Sequence, residues 1–272
     1  MSTLAYLGPT GTFSEQVALS IQSHLPVPAE PIPFPSIMAT VTAVAKGEVT
    51  WGVVPVENSL EGGVAATLDG CWQTEGIFIH QAYILPIRYA LVSTAAHASQ
   101  IRRVYSHPQA LGQCRTWLED YLPQATPIPS SSTTAELHQI GDPEVGVICS
   151  TRAAEILQLP VLTCITGQDH NQTRFWLLNR NPSPGGSLTS LALSLPANVP
   201  GALLKPLHIF AERQLNLSRI ESRPTKKSAG TYVFFLDVEH PNQGSLSPQE
   251  RADLEAVTET LKILGSYEVI TL

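Results

Sequence analysis

The chain has 272 residues, 43% hydrophobic and only 14% charged, with a net charge of −7 and 22 prolines. That length suits about two domains with real cores, so neither a disulfide nor a metal is needed to hold it together. The acidic balance argues against nucleic acid or an anionic membrane as partner, and no run of ~20 apolar residues exists to span a membrane as a helix. The first basic residue is Lys46. The opening stretch therefore lacks the charge pattern of a secretory or transit signal, and a cytoplasmic location is expected.

Leu4-Ala-Tyr-Leu7 is short and apolar, as a buried strand should be, and Gly8-Pro-Thr-Gly11 turns the chain. Thr12 with Glu15 three residues on forms the reciprocal pattern that caps a helix start. Trp51-Gly-Val-Val-Pro-Val56 is a second buried strand, followed by a polar turn and a helical run over about 64–72. Tyr83 to Val92 is apolar and broken by Pro86. Arg103-Val-Tyr-Ser106 leads into Pro108, which suits the first turn of a helix reaching about Tyr121. Thr133 with Glu136 repeats the capping pattern, Val145-Gly-Val-Ile-Cys149 is a strand, and Ser150 stands where it caps the next helix. Strands alternating with helices predict an α/β unit around a mostly parallel sheet.

Asn179-Arg-Asn-Pro-Ser-Pro-Gly-Gly-Ser187 can continue neither a helix nor a central strand, so it reads as a linker. Beyond it Thr189 to Leu195 alternates as a strand, Gly201 to Gln214 has helical spacing, and Leu217 to Ser222 alternates again. Thr231 to Asp237 is a strand, Ser247-Pro-Gln-Glu250 opens a helix, and Tyr267 to Leu272 closes with a strand. The order βαββαβ is a ferredoxin-like split motif. Cys71, Cys114, Cys149 and Cys164 show no zinc-ligand spacing and read as free thiols, mostly buried.

In open α/β sheets ligands bind beyond the carboxyl ends of strands, facing helix N-termini. Four junctions are polar in this way: Gly8 to Ser14, Glu57 to Gly63, Ser106 to Gln109 and Ser130 to Thr134. Their convergence would hold a small anion on backbone N–H groups and helix dipoles, without a basic patch. Gly8-x-x-Gly11 lacks the spacing of a dinucleotide turn, and no Gly-Lys-Ser/Thr follows, so neither nucleotide site is predicted. His107, just before a helix-opening proline, is either a cap or an acid–base residue. Glu57 and Glu61 are either a carboxylate pair or helix-start charges. Ser59 lacks the strained elbow of a hydrolase nucleophile.

Taken together, four segments resemble the prephenate dehydratase family: Gly8-Pro-Thr-Gly-Thr-Phe-Ser14, Val54-Pro-Val-Glu-Asn-Ser-Leu-Glu-Gly62, Ser106-His-Pro-Gln-Ala110 with Gln113-Cys114, and Thr173-Arg-Phe175. After the linker, Gly201-Ala-Leu-Leu204 and Asn216-Leu217 through Ile220-Glu-Ser-Arg-Pro224 resemble the amino-acid-binding regulatory (ACT) domain that this family carries. The resemblance runs in order over nearly the whole chain. It implies an α/β catalytic domain over 1–180 of two periplasmic-binding-protein-like lobes, with the active site in the cleft between them. Lobe one would be 1–76 with 168–180, and lobe two 77–167. A linker at 181–187 and a βαββαβ ACT domain at 188–272 would follow. Because the sequence opens on the dehydratase turn, the fused chorismate mutase domain of some relatives is not expected.

The family converts prephenate to phenylpyruvate, water and carbon dioxide, a step toward phenylalanine. Losing carbon dioxide and hydroxide makes the ring aromatic, so the ring is its own electron sink and no cofactor or metal is expected. The resemblance makes Thr173 the donor to the leaving hydroxyl. It gives Arg174 either a two-pronged contact to a substrate carboxylate or a lobe-bracing salt bridge. Phe175 would pack as a wall, and Asn58, Ser59, Thr10 and Gln113 would donate to substrate. An L-phenylalanine feedback site and its supports would comprise Gly201, Ala202, Leu203, Leu204, Asn216, Leu217, Glu221, Ser222, Arg223 and Pro224. Pairing into a homodimer or homotetramer would cover the exposed edge of the small domain. Two rival readings stay open: an arogenate dehydratase, with Glu57 or Glu61 meeting the substrate ammonium, and a non-catalytic two-lobed sensor.

Overall fold

The computed structural model describes residues 2–130, 136–165, 170–225 and 230–272, so the capping pattern expected at Thr133 lies outside the described residues. Strand β1 (Ser2–Leu7) runs through the Gly8–Gly11 turn into α1 (Phe13–Ile21). Gly11 has φ of +88°, a conformation that disfavours any residue with a side chain. Thr12 caps α1 by accepting the Glu15 N–H. The Glu15 carboxylate does not close the reciprocal bond; it accepts from the Gly11 N–H at 2.8 Å and the Tyr6 hydroxyl at 3.3 Å. Next come β2 (Ala29–Phe34) and α2 (Ile37–Lys46), neither read from sequence. Pro31 and Pro33 disguise β2, which they can occupy because it is an edge strand.

The chain continues through β3 (Trp51–Asn58), the two-residue β4 (Gly62–Gly63), α3 (Ala65–Gln73) and β5 (Phe78–Pro86). A second unit follows: β6 (Tyr89–Val92), β7 (Arg103–Ser106), α4 (Pro108–Gln113), α5 (Arg115–Tyr121), β8 (Thr126–Pro129), β9 (Val145–Ser150), α6 (Thr151–Ile156) and β10 (Val161–Cys164). The single helix expected up to Tyr121 is interrupted at Cys114. Ser150 caps α6 by accepting the Ala153 N–H at 3.0 Å. Strand β11 (Gln172–Asn179) leads to β12 (Gly186–Ser194), α7 (Leu204–Glu212), β13 (Leu217–Pro224), β14 (Tyr232–Gly244), α8 (Pro248–Val257), β15 (Thr260–Tyr267) and β16 (Val269–Thr271). The Ser247–Glu250 capping box forms in full at α8.

Three sheets result: β16-β5-β11-β3-β1-β2 with β4 on β3, then β10-β6-β9-β7-β8, then β13-β14-β12-β15. The first two are mixed rather than mostly parallel: β11 runs antiparallel to both its neighbours in the first, and β6 to both its neighbours in the second. Strand β5 pairs with β11 in the first sheet, so the passage to the second lobe falls at 86–89, later than the residue 77 expected. The third sheet is antiparallel with ferredoxin-like order. One of its faces packs on α7 and α8 through Leu191, Leu193, Phe210, Leu236 and Leu254. The other face shares a core with the first sheet: Ala192, Val233, Phe235 and Tyr267 meet Val54, Ala82, Trp176 and Leu178. After Tyr267 the chain leaves the third sheet, and β16 pairs in parallel with β5. Cys71, Cys114 and Cys149 are buried and Cys164 exposed, none of them in a disulfide. No helix among the described residues is long and apolar enough to cross a membrane.

Candidate active site

A cavity of about 590 Å³ opens between the first and second sheets, lined from one side by the Gly8–Ser14 turn, Asn58, Gly62, Gly63, Thr173 and Phe175. Ile87, Tyr89, His107 and Gln113 line it from the other. The two-residue period of a strand decides which side chains arrive. On β11 it sends Thr173 and Phe175 to the cavity and leaves Arg174 and Trp176 on the opposite face. In register across the ladder, Asn58 stands opposite Thr173 and Glu57 opposite Arg174.

Asn58 organises the cavity floor. Its Oδ1 accepts the backbone N–H of Leu60 at 3.0 Å and of Glu61 at 3.2 Å, which fixes the amide so that Nδ2 must point the other way. That nitrogen donates to Thr173 Oγ1 at 3.0 Å, Asn171 Oδ1 at 2.8 Å and the Gln172 carbonyl at 3.2 Å. Asn171 Nδ2 donates to Gln113 Oε1, and Gln113 Nε2 to Glu61 Oε1, both at 2.9 Å. The bonds thus run head to tail in a closed ring: Glu61 N–H, Asn58, Asn171, Gln113, Glu61 carboxylate. The Tyr89 hydroxyl adds a bond to Gln113 Oε1 at 2.9 Å. Burial raises the Tyr89 pKa, with Cys114 and the Glu61 charge adding to it, so the phenol remains a donor. Gln113 of the second lobe, held by Tyr89, is therefore tied to Asn171 and Glu61 of the first. Ser150 ties the lobes again by donating to the Gly11 carbonyl at 2.7 Å.

Among the described residues no lysine or arginine lines the cavity. Backbone donors come instead from the N-termini of α1 and α4, one from each lobe, although in α4 Pro108 has no N–H and that of Gln109 is given to His107 Nδ1. His107 lines the cavity as the α4 N-cap, its Nδ1 accepting the Gln109 N–H at 3.3 Å. Glu61 is the carboxylate that faces in. Glu57 is not its partner; it pairs with Arg174 at 2.8 Å.

Of the residues singled out from sequence, Thr173, Phe175, Asn58 and Gln113 are brought together. Arg174 corrects the expectation of a carboxylate clamp: strand alternation puts it in a buried bridge to Glu57 and Asp237, outside the lining. Ser59 is also outside it, donating to the His170 carbonyl at 2.6 Å and accepting the Gln172 N–H at 2.9 Å. Thr10 is exposed at the turn beside Tyr6. Asn171 and Tyr89 went unnoticed; the one signal for Asn171 was a short polar side chain two residues before Thr173.

In the C-terminal domain Gly201 precedes Ala202, Leu203 and the α7 start at Leu204, with φ of +80°, and a Cβ there would touch Leu204 Cδ1 at 4.0 Å. Asn216 donates to Glu239 at 2.9 Å, just before Leu217 opens β13. Ser222 and Pro224 are exposed on that edge strand. Glu221 and Arg223 point elsewhere, toward the catalytic lobe: Glu221 lies against Gly63, and Arg223 pairs with Asp69 of α3 at 3.2 Å. Period-two alternation separates them from Ser222 and Pro224.

A two-lobed α/β unit with an anion-ready cleft, welded to a ferredoxin-like domain, defines an enzyme of small anionic substrates with a regulatory module attached. Residues 4–183 match the prephenate dehydratase family and residues 189–246 the ACT domain. The chain is 36% identical over 268 residues to a bifunctional chorismate mutase/prephenate dehydratase of Aquifex aeolicus, covering 97% of this chain and 73% of that one. It is 32% identical over 279 residues to the prephenate dehydratase of Lactococcus lactis, covering 99% and 98%. The crystal structure of prephenate dehydratase from Arthrobacter aurescens in complex with L-Phe superposes with a TM-score of 0.84 at 34% identity, covering 98% of this chain and 90% of that one. The chain belongs to the prephenate dehydratase family.

Proposed function

We propose that the cavity converts prephenate to phenylpyruvate, with Thr173 donating to the departing hydroxyl. The observation that carries this is the Asn58–Thr173 contact. Because the Asn58 amide is pinned by two backbone N–H groups, Thr173 Oγ1 accepts, and its own proton is left to be donated into the cavity. A threonine hydroxyl is a weak acid, so its part is a preorganised hydrogen bond to charge that develops as hydroxide leaves. The substrate is a dianion, and the α1 and α4 N-termini supply donors for its carboxylates from opposite lobes. Phe175, Ile87 and Tyr89 give apolar walls that keep water from the ring.

L-phenylalanine acts on the same chain as feedback effector, at Gly201–Leu204 and Asn216 with Ser222 and Pro224, across paired edges of two C-terminal domains. The Arthrobacter relative's complex, the left-handed backbone at Gly201 that only a residue without a side chain adopts freely, and the uncovered β13 edge support this. The test is the appearance of phenylpyruvate absorbance from prephenate, with and without millimolar L-phenylalanine. No product from the purified chain refutes the activity; product formation indifferent to phenylalanine refutes the regulation. Because Glu61 faces the cavity, arogenate, whose ammonium would meet that carboxylate, is run alongside. A kcat/KM preference of ~100-fold for arogenate would reassign the substrate.

A further inference from the structure

The strand segment that carries Thr173 has a second, charged face. Arg174 Nη2 donates to Glu57 Oε2 at 2.8 Å and to Asp237 Oδ2 at 2.6 Å. Arg174 adjoins Thr173 in β11, and Glu57 adjoins Asn58 in β3, so the bridge backs directly onto the Asn58–Thr173 contact. Asp237 belongs to β14 of the C-terminal domain, is 2% exposed, and takes a further bond from Ser190 Oγ. Burial alone would lower the Arg174 pKa, but Asp237, Tyr267 and Glu57 reverse this, and the guanidinium stays charged. Two residues on, Trp176 Nε1 donates to the Tyr267 hydroxyl at 3.2 Å. The C-terminal domain therefore grips residues 174 and 176, while residues 173 and 175 line the cavity.

Glu57 is also contested. Arg219 of β13 is 8% exposed and stands 3.9 Å from Glu57 Oε1 while donating to Glu221. Among the described residues its Nε and Nη1 have no acceptor. Glu57 thus has two arrangements within reach, shared with Arg174 or drawn toward the unused donors of Arg219. A ligand that prefers one arrangement shifts the population toward it.

We propose that Arg174 is a positioning residue rather than a substrate ligand, and that Asp237 acts through it. The Asp237–Arg174–Glu57 bridge sets Thr173 and Asn58 in the cavity and carries the state of the C-terminal domain to them. This rests on Thr173 being the reacting donor. A displacement of about 1 Å at a reacting group costs on the order of 10²-fold in rate, so a modest shift of this bridge is enough.

The test uses the full chain. Asp237→Asn keeps shape and one acceptor but removes the charge; kcat is expected to fall about tenfold or more while KM for prephenate stays within about threefold. The L-phenylalanine concentration for half inhibition is expected to move at least about fivefold. Asp69→Asn, which breaks the peripheral interdomain pair with Arg223, should change neither by more than about twofold. Should Asp237→Asn fail to fold, Glu57→Gln carries the same expectation, since that carboxylate is 36% exposed. A folded variant with unchanged kcat and unchanged phenylalanine response overturns the proposal. So does Arg174→Lys raising KM about tenfold at constant kcat, which would make Arg174 a substrate ligand. A parent that turns over prephenate but ignores phenylalanine leaves kcat to decide alone. A parent without turnover refutes the dehydratase reading, and this inference with it.

Discussion

Thr173→Val separates the chemistry of the site from its architecture. Valine keeps the outline and branching of threonine, so β11 retains its strand preference. Asn58 Nδ2 has two hydrogens and three acceptors in reach, at 2.8, 3.0 and 3.2 Å. Removing the middle one still leaves both hydrogens satisfied. The cost to folding is then that of a single ordinary hydrogen bond, ~0.5–1.5 kcal/mol. For a chain of this size that lowers the melting temperature by ~2–4 °C per kcal/mol. The loss in turnover is larger, because the hydroxyl is used as charge builds on the leaving group. One such donor is worth ~10²–10³ in kcat, or ~2.7–4 kcal/mol. KM should stay within about threefold, since the carboxylate contacts lie at the helix N-termini. Saturation curves from phenylpyruvate absorbance, with a thermal melt on the same sample, measure both. A kcat within about threefold of the parent would sink the role given to Thr173.

Gln113→Leu leaves Tyr89, Asn171 and Glu61 without their common partner and should cost about 1–3 kcal/mol. An unchanged urea midpoint would contradict the closed ring. Acid should weaken the fold in part through His80, whose ring packs on Trp51 and whose pKa burial holds below 6.5. The unfolded chain takes up this proton near pH 6.5 and the folded chain only lower, so stability is full above ~6.5 and falls as pH drops. His80→Phe should lose less stability than the parent between about pH 7.5 and 5.5, His240 (also lowered by burial) supplying part of the residual slope. Equal losses in parent and variant would remove His80 from the account. Ending the chain after Asn179 uncovers Ala82, Trp176 and Leu178 and strips Arg174 of Asp237, so the fragment should aggregate rather than persist as an unregulated enzyme. A monodisperse, active fragment on gel filtration would contradict the shared core.

What the sequence made legible was local or periodic. The caps at Thr12, Ser150 and Ser247, the βαββαβ order and the strand at Trp51 each rest on residues within a few positions of one another. That helix N-termini face the ligand side followed from strand–turn–helix order; that they come from two lobes was implied only by the family resemblance. What escaped depended on contacts far apart in the chain. Arg174 reads as either a carboxylate clamp or a bracing salt bridge until Asp237, which no spacing links to it, is seen beside it. Glu221 and Arg223 belong to a motif of surface character, yet their partners Gly63 and Asp69 lie on the other domain. The closing strand of the small domain was expected at Tyr267 to Leu272; in fact that strand is β15 (Thr260–Tyr267), and the expected stretch holds β16, which crosses to the first sheet, a change of partner invisible in the sequence.

That crossing has a consequence for how the molecule is made. Synthesis is vectorial, and β5 leaves the ribosome long before β16 exists to pair with it. Throughout translation of the C-terminal domain, one edge of the first sheet therefore stands with its N–H and C=O groups open. An unpaired strand edge invites pairing with a neighbouring nascent chain. The early strands can assemble as they emerge, but the sheet is closed at β5 only once residues 269–271 are released. Final maturation of the cleft lobe thus waits on synthesis of the C-terminal domain. In a crowded polysome this edge is the point where a chaperone has most to protect.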